Sequence, residues 1–350
     1  MKALTVIPGR ADSAAVRELP EPPLSDGSVL VRTHAIGICG TDAEIAFQGY
    51  GWPPPGDEYL VLGHESIGEV VDAPRESGLE AGDLVVGIVR RPDPVPCSCC
   101  AAGDWDMCRN GGYVERGIKE RHGYGSERYR IEPDFAVRVD PRLGDLGVLL
   151  EPTTVVAKAW EQVERIGARG CFEPHIALVT GAGPIGLLAA LLATQRGLET
   201  HVVDIVETGL KPELVRELRA TYHSGPLSDL ERLGADVVIE CTGIGDVVMG
   251  AMRAAAPNAV AALAGISSGT GTIELNLDAA NKRMALKNGA MFGTVNAPRR
   301  HYEQAAQALT AASPDWLGRL ITREGDVPNW PDALNRRPDD IKVVVHFDGA

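Results

Sequence analysis

Three glycines in the run Gly181-Ala182-Gly183-Pro184-Ile185-Gly186 constrain this chain more than any other feature. An apolar segment, His175-Ile176-Ala177-Leu178-Val179-Thr180, precedes them, and a second apolar run from 185 to 193 follows. A buried strand turning tightly into a helix accounts for all three. The first glycine permits the turn, the second lets a ligand approach the backbone, and the third lets the helix pack against the strand. Backbone N–H groups at the start of such a helix attract anionic phosphates. The alternative is a purely structural turn, but the next strand, 200–204, ends in Asp204, where a dinucleotide site places an acid. Asp204 can accept a hydrogen bond from an adenosine ribose hydroxyl, and its charge opposes the additional phosphate of NADP. Ile205 and Val206 after it bring no guanidinium to a phosphate. NAD is therefore expected in preference to NADP, with a turn-capping aspartate as the alternative.

Strands and helix-length segments go on alternating beyond this turn. Strands are expected at 236–240, 259–263 and 289–293, with a helix at 212–220. Repeated strand-helix-strand order implies a doubly wound parallel sheet. The first 139 residues have another texture, in which short β-rich runs such as 28–32 and 83–88 are broken by glycine and proline turns. This predicts a compact, barrel-like all-β region. A helical pattern covers 155–166, and the last 50 residues hold a helix at 302–312 and a strand at 341–347. A chain of 350 residues exceeds what one core organises, so two domains are expected. The fold class is α/β, a β-rich domain joined to a Rossmann-type domain.

A net charge of −14 opposes binding to phosphate backbones and anionic lipid, so neither nucleic acid nor membrane is an expected partner. The run 185–193 is too short to span a bilayer, and the first residues read as a strand without an apolar leader. A cytoplasmic location is expected. Four of the seven cysteines lie between 97 and 108, and in a reducing compartment such crowding points to metal.

Cys39-Gly40-Thr41-Asp42 and Gly63-His64-Glu65 together offer a thiolate, an imidazole and a carboxylate, a donor set suited to zinc. Taken singly, each is equally a buried cysteine or a turn histidine. Glu151-Pro152 adds a fourth carboxylate. In the second cluster, Cys97-Ser98-Cys99-Cys100 and Cys108, neighbouring thiolates repel one another unless a cation relieves them. A structural zinc lobe is expected, and a loop of oxidisable thiols is the alternative.

These elements carry a family resemblance. Cys-Gly-Thr-Asp at 39–42, Gly-His-Glu at 63–65, Arg90-Arg91-Pro92, Glu115-Arg116-Gly117-Ile118, His122-Gly123, Glu151-Pro152, the glycine run and Gly293-Thr294-Val295-Asn296 resemble the zinc-containing medium-chain dehydrogenases. Within them the chain is most similar to glucose 1-dehydrogenases of the archaeal type, over nearly its whole length. The resemblance implies a discontinuous GroES-like catalytic domain, 1–160 with 300–350, around a Rossmann domain, 161–299. It also implies that Cys39, His64 and Glu65 hold a catalytic zinc, with Glu151 able to reach metal or sugar. Thr41, Glu115 and Asn296 match substrate-contact positions, and association as a dimer or tetramer is implied. The family's structural lobe reads Cys-x2-Cys-x2-Cys-x7-Cys. Here Cys97, Cys100 and Cys108 fit its last three places, but Pro94 stands in the first, leaving Asp93 or Cys99 as fourth ligand.

The implied reaction is hydride transfer from C1 of an aldose to the nicotinamide, giving a lactone, with zinc lowering the pKa of the anomeric hydroxyl. Thr41 is the expected proton relay, because a hydroxyl both donates and accepts; its alternative is a helix cap beside Cys39. Glu65 and Glu151 are expected to tune the metal's charge, and Glu115 and Asn296 to bind sugar hydroxyls. Two rivals stand beside this reading: a zinc-dependent polyol or secondary-alcohol dehydrogenase, and a non-catalytic NADH sensor. A zinc-free quinone reductase requires loss of the metal ligands, which are present.

Overall fold

The computed structural model describes residues 1–267, 269 and 271–347 and divides into two compact units. One comprises Met1–Thr154 and the chain from Asn296 onward, and the other is Val155–Val295.

The first unit is organised by a mixed sheet. Its strands run in the order Ala136–Arg138, Leu84–Gly87, Glu65–Asp72, Val29–Ile38, Lys342–His346 and Ile321–Asp326, and Arg128–Ile131 also pairs with Val29–Ile38. The ladder between Val29–Ile38 and Glu65–Asp72 sets Gly37 opposite Glu65, and Val343 lies opposite Ile38 on the other side. Residues that start or end strands around Cys39 are thus gathered at one end of adjacent strands. Alternate apolar residues, among them Val31, Ile36, Leu62, Tyr124 and Val345, close the core beneath them with Trp330. Two small sheets complete the unit, Ala15–Glu18 with Lys2–Val6 and Leu60–Val61, and Arg90–Arg91 with Val114–Arg116 and Glu120–Arg121.

The expectation of an all-β region up to residue 139 needs correction, because Gly40–Gln48 is an α-helix. Cys39 and Asp42 form a reciprocal capping box at its start, and Gly49 ends it in the left-handed conformation, φ 76°. A cysteine in the place usually held by serine or threonine hides this signal. The helix expected at 302–312 occupies Arg299–Thr310, and a long helix, Leu150–Gly167, begins five residues before the expected 155.

In the second unit six parallel strands are ordered Thr221–His223, Glu199–Val203, Ile176–Thr180, Ala235–Glu240, Ala255–Leu263 and Ala290–Gly293. Numbered along the chain this is 3-2-1-4-5-6, the doubly wound order that reverses beside the first strand. Helix Pro184–Gln195 is buried on every side from Gly186 to Ala193, which explains its apolar composition all round. The helix expected at 212–220 spans Leu210–Glu217. Among the described residues, no helix is long and apolar enough to cross a membrane.

Candidate active site

Cys39 follows strand Val29–Ile38 directly and caps helix Gly40–Gln48, so its thiol faces a helix N-terminus. Sγ accepts from Thr41 N at 3.3 Å, and Cys39 N donates to Asp42 Oδ2 at 2.9 Å. His64 Nε2 lies 3.1 Å from this sulfur, and its Nδ1 lies 3.5 Å from Oδ1 of fully buried Asp42. Asp42 thus faces the ring nitrogen remote from the thiol, as carboxylates that orient metal-binding histidines do. Burial opposes charge on His64, but Cys39 and Asp42 outweigh it and hold its pKa well above the usual imidazole range. Single ligand atoms of Cys39, His64 and Glu65 all lie within 4.8 Å of one another. Thiolate, imidazole and carboxylate at this spacing fit zinc.

Glu65 has a partner that the sequence did not suggest. Lys342 Nζ lies 2.8 Å from its Oε1 and 2.6 Å from its Oε2. A lysine between apolar neighbours in a terminal strand was the available signal. Burial opposes charge on Lys342, yet Glu65 and Cys39 raise its pKa above the usual ammonium range. The space is tight, since a Cβ at Gly37 would stand 2.2 Å from Glu65 Oε2. Glu151, in the first turn of helix Leu150–Gly167, is buried, and burial raises its carboxyl pKa against the lowering influence of His64. It is not one of the three donors whose ligand atoms all lie within 4.8 Å of one another, but His64 and Glu65 are among the charges that act on it.

Glu115 and Asn296, far apart in sequence, meet through a hydrogen bond of 2.5 Å from Asn296 Nδ2 to Glu115 Oε1, and both are buried. Arg90 joins them, its Nε donating to the same oxygen at 3.1 Å. Thr41, half-buried in the first turn of its helix, supplies the N–H that bonds to Cys39.

In the cysteine lobe, ligand atoms of Cys97, Cys100 and Cys108 lie within 4.8 Å of one another. Arg109 N donates to Cys97 Sγ at 3.4 Å, and such backbone bonds lower the Cys97 pKa, whereas burial raises that of Cys100. Neither Asp93 nor Cys99 belongs to this close-set group of three thiols. Asp93 is committed elsewhere: its Oδ1 accepts from Val95 N at 2.8 Å, and its carboxylate packs against Gly112.

In the glycine turn of the second unit, Gly181 and Gly186 stand where no other residue fits. Gly181 has φ +84°, and a Cβ at Gly186 would stand 1.8 Å from the Gly181 carbonyl oxygen. At Gly183 a Cβ would meet nothing within 4 Å, so open space lies beside the helix start, and Pro184 holds the first helical position. Asp204 Oδ2 accepts from Ala182 N at 2.6 Å, bracing the turn, and Lys211 Nζ lies 3.5 Å from the same oxygen. Both features lay outside the sequence expectation for Asp204. Glu240, fully buried, accepts from Thr180 Oγ1 at 3.1 Å and Thr242 N at 2.7 Å, tying two adjacent strand ends together.

The family described as Glucose dehydrogenase C-terminus matches residues 144–347, and the Alcohol dehydrogenase GroES-like domain matches 25–141. Glucose 1-dehydrogenase of Methanocella arvoryzae is 36% identical, with 99% of each chain covered. That of Thermoproteus tenax is 38% identical, again over 99% of each. Among solved structures, Haloferax mediterranei glucose dehydrogenase in complex with NADP, Zn and gluconolactone superposes with a TM-score of 0.91, at 33% identity and with 100% of both chains covered. With these matches spanning both units, the chain belongs to the glucose dehydrogenase family of the zinc-containing medium-chain dehydrogenases.

Proposed function

We propose that this chain is a zinc-dependent, NAD(P)-linked dehydrogenase that oxidises C1 of an aldose, glucose or a close analogue, to the aldonolactone. The observation that carries the reading is the presence, in one unit, of the Cys39, His64 and Glu65 donors together with a buried polar pair, Glu115 and Asn296. The relatives named glucose 1-dehydrogenase, and the Haloferax complex with gluconolactone, support the same substrate class.

Cys39, His64 and Glu65 would hold the ion. When bound, zinc supplies a Lewis acid that lowers the pKa of a hydroxyl and stabilises the charge left as hydride departs. Asp42 keeps His64 turned toward the thiol, and Lys342 holds both carboxylate oxygens of Glu65 in place. Thr41 passes the hydroxyl proton outward. Glu151 tunes the charge of the centre, and Glu115 with Asn296 selects among sugars through their hydroxyl groups. The discontinuous unit is the catalytic domain, and Val155–Val295 binds the dinucleotide through the turn of Gly181, Gly183, Pro184, Ile185 and Gly186. Cys97, Cys100 and Cys108 hold a second, structural zinc, its fourth ligand coming from outside the three thiols.

Asp204 makes NAD the preferred cofactor, although Lys211 softens its repulsion of a 2′-phosphate. NADP in the Haloferax structure supports use of both cofactors. The enzyme works in the reducing cytoplasm as a dimer or tetramer. Steady-state rates with aldoses, polyols and simple alcohols, paired with both cofactors, test the assignment. Aldose oxidation with lactone formation is expected, and turnover of alcohols without aldoses would replace it by the polyol or alcohol dehydrogenase reading.

A further inference from the structure

Arg90 is fixed on all sides. It faces Glu115 across the antiparallel strand pair Arg90–Arg91 and Val114–Arg116. Its Nε and Nη2 lie 3.1 and 3.0 Å from Glu115 Oε1, and Nη1 donates to the Asp106 carbonyl at 2.8 Å. The Tyr113 ring lies under the guanidinium, 3.8 Å from Cζ to the ring centroid. Asn296 Nδ2 reaches the same Oε1 at 2.5 Å. All three donors that reach the Glu115 carboxylate therefore converge on one oxygen, and among the described residues no protein hydrogen bond reaches Oε2.

The amide of Asn296 has no freedom to turn round. A carboxylate only accepts, so the NH2 must face Glu115, and Oδ1 is left pointing elsewhere. That atom is buried and has no hydrogen-bond partner among the described residues. A buried acceptor in this state is completed by a donor from a ligand or water.

We propose that Arg90 is a positioning residue for the sugar, holding Glu115 so that its Oε2 and Asn296 Oδ1 stand as a fixed pair of acceptors for two aldose hydroxyl groups. This rests on the aldose dehydrogenase reading above. A lysine cannot replace it, because a point charge does not span the Glu115 carboxylate and the Asp106 carbonyl while lying flat on Tyr113. Asp106 belongs to the turn Trp105–Met107, directly before Cys108, so the same guanidinium ties the acceptor pair to the cysteine lobe.

The test compares zinc-loaded wild type, Arg90→Lys and Asn296→Ala with glucose and a set of monodeoxyglucoses, checking zinc content and circular dichroism for each. Wild type should reject most strongly the sugar lacking a hydroxyl that meets the pair, since its absence leaves a buried acceptor unpaired. Arg90→Lys should raise KM for glucose about tenfold while kcat changes less than about twofold. The ratio of kcat/KM for glucose to that for the rejected deoxy sugar should fall in Arg90→Lys and in Asn296→Ala. A purely structural role lowers every sugar by one factor and leaves the ratio unchanged, which would overturn the proposal. So would a wild type indifferent to every deoxy position, a result that needs no variant to fold. Wild type that oxidises no aldose at all would instead sink the functional reading on which the proposal stands.

Discussion

Lys342 Nζ sits within 2.8 Å of both carboxylate oxygens of Glu65, and the two side chains are only 1% and 3% exposed. A buried ion pair of this kind constrains rather than stabilises: removing one partner strands a charge, whereas replacing both can be close to neutral. In metal-free protein, Lys342→Met should lower the unfolding free energy by about 3 kcal/mol, and Lys342→Met with Glu65→Leu should restore most of it. Chemical denaturation of the four proteins of the cycle measures this. A loss in the double variant equal to the sum of the two single losses would show that the pair is not coupled.

The three thiols of the cysteine lobe give a metal count that can be checked. Zinc-replete protein should hold two ions per chain by elemental analysis, and Cys97→Ser or Cys108→Ser should remove one, since either leaves only two of the three close-set thiols. Cys99→Ser should leave the count unchanged, because Cys99 stands outside the group. Loss of zinc on changing Cys99 would contradict the arrangement.

Glu132 provides a pH dependence remote from the metal donors. Burial works against its charge, but Arg91 at 2.9 Å and Arg121 at 2.7 Å hold its carboxyl at about 2. A carboxyl lowered in the folded state stabilises above its unfolded pKa and loses that contribution as pH falls through the folded one. Glu132→Gln should therefore melt a few degrees below wild type at neutral pH, with the gap closing from about pH 5 downward. Melting curves across that range test it, and a gap independent of pH would count against the ion pair.

The proposed preference for NAD rests on Asp204 and on Lys211 beside it. Asp204→Ala should reduce the NAD bias in kcat/KM, and Lys211→Ala should increase it, because Lys211 lies 3.5 Å from the Asp204 carboxylate and offsets its charge. Each shift should be of order threefold to tenfold, less than for an isolated charge, because the two oppose one another. Parallel shifts in both variants would refute the opposition.

What could be read from sequence was whatever a local pattern enforces. The glycine turn was legible because three stereochemical demands fall within six residues, and Gly186 against the Gly181 carbonyl shows one of them directly. Cys39, His64 and Glu65 were legible as donor types in short motifs. Lys342 was not, since it reaches Glu65 across 277 positions through strand pairing that no local pattern encodes. Nor was Arg90, whose meeting with Glu115 depends on register. Thr221–His223 is a three-residue edge strand, too short to establish an alternation. Asp204 was placed at the right strand end, but its oxygen facing Ala182 depends on the folded turn.

The most direct test of the account is aldose oxidation measured before zinc is stripped, after stripping and after reloading, with glucose and NAD in one arm and NADP in the other. Glucose-dependent formation of reduced cofactor should disappear with the metal and return with it, faster with NAD, while binding of reduced cofactor to the Val155–Val295 unit persists throughout. Oxidation that survives complete loss of zinc, or cofactor binding with no aldose turnover in fully loaded protein, would contradict it.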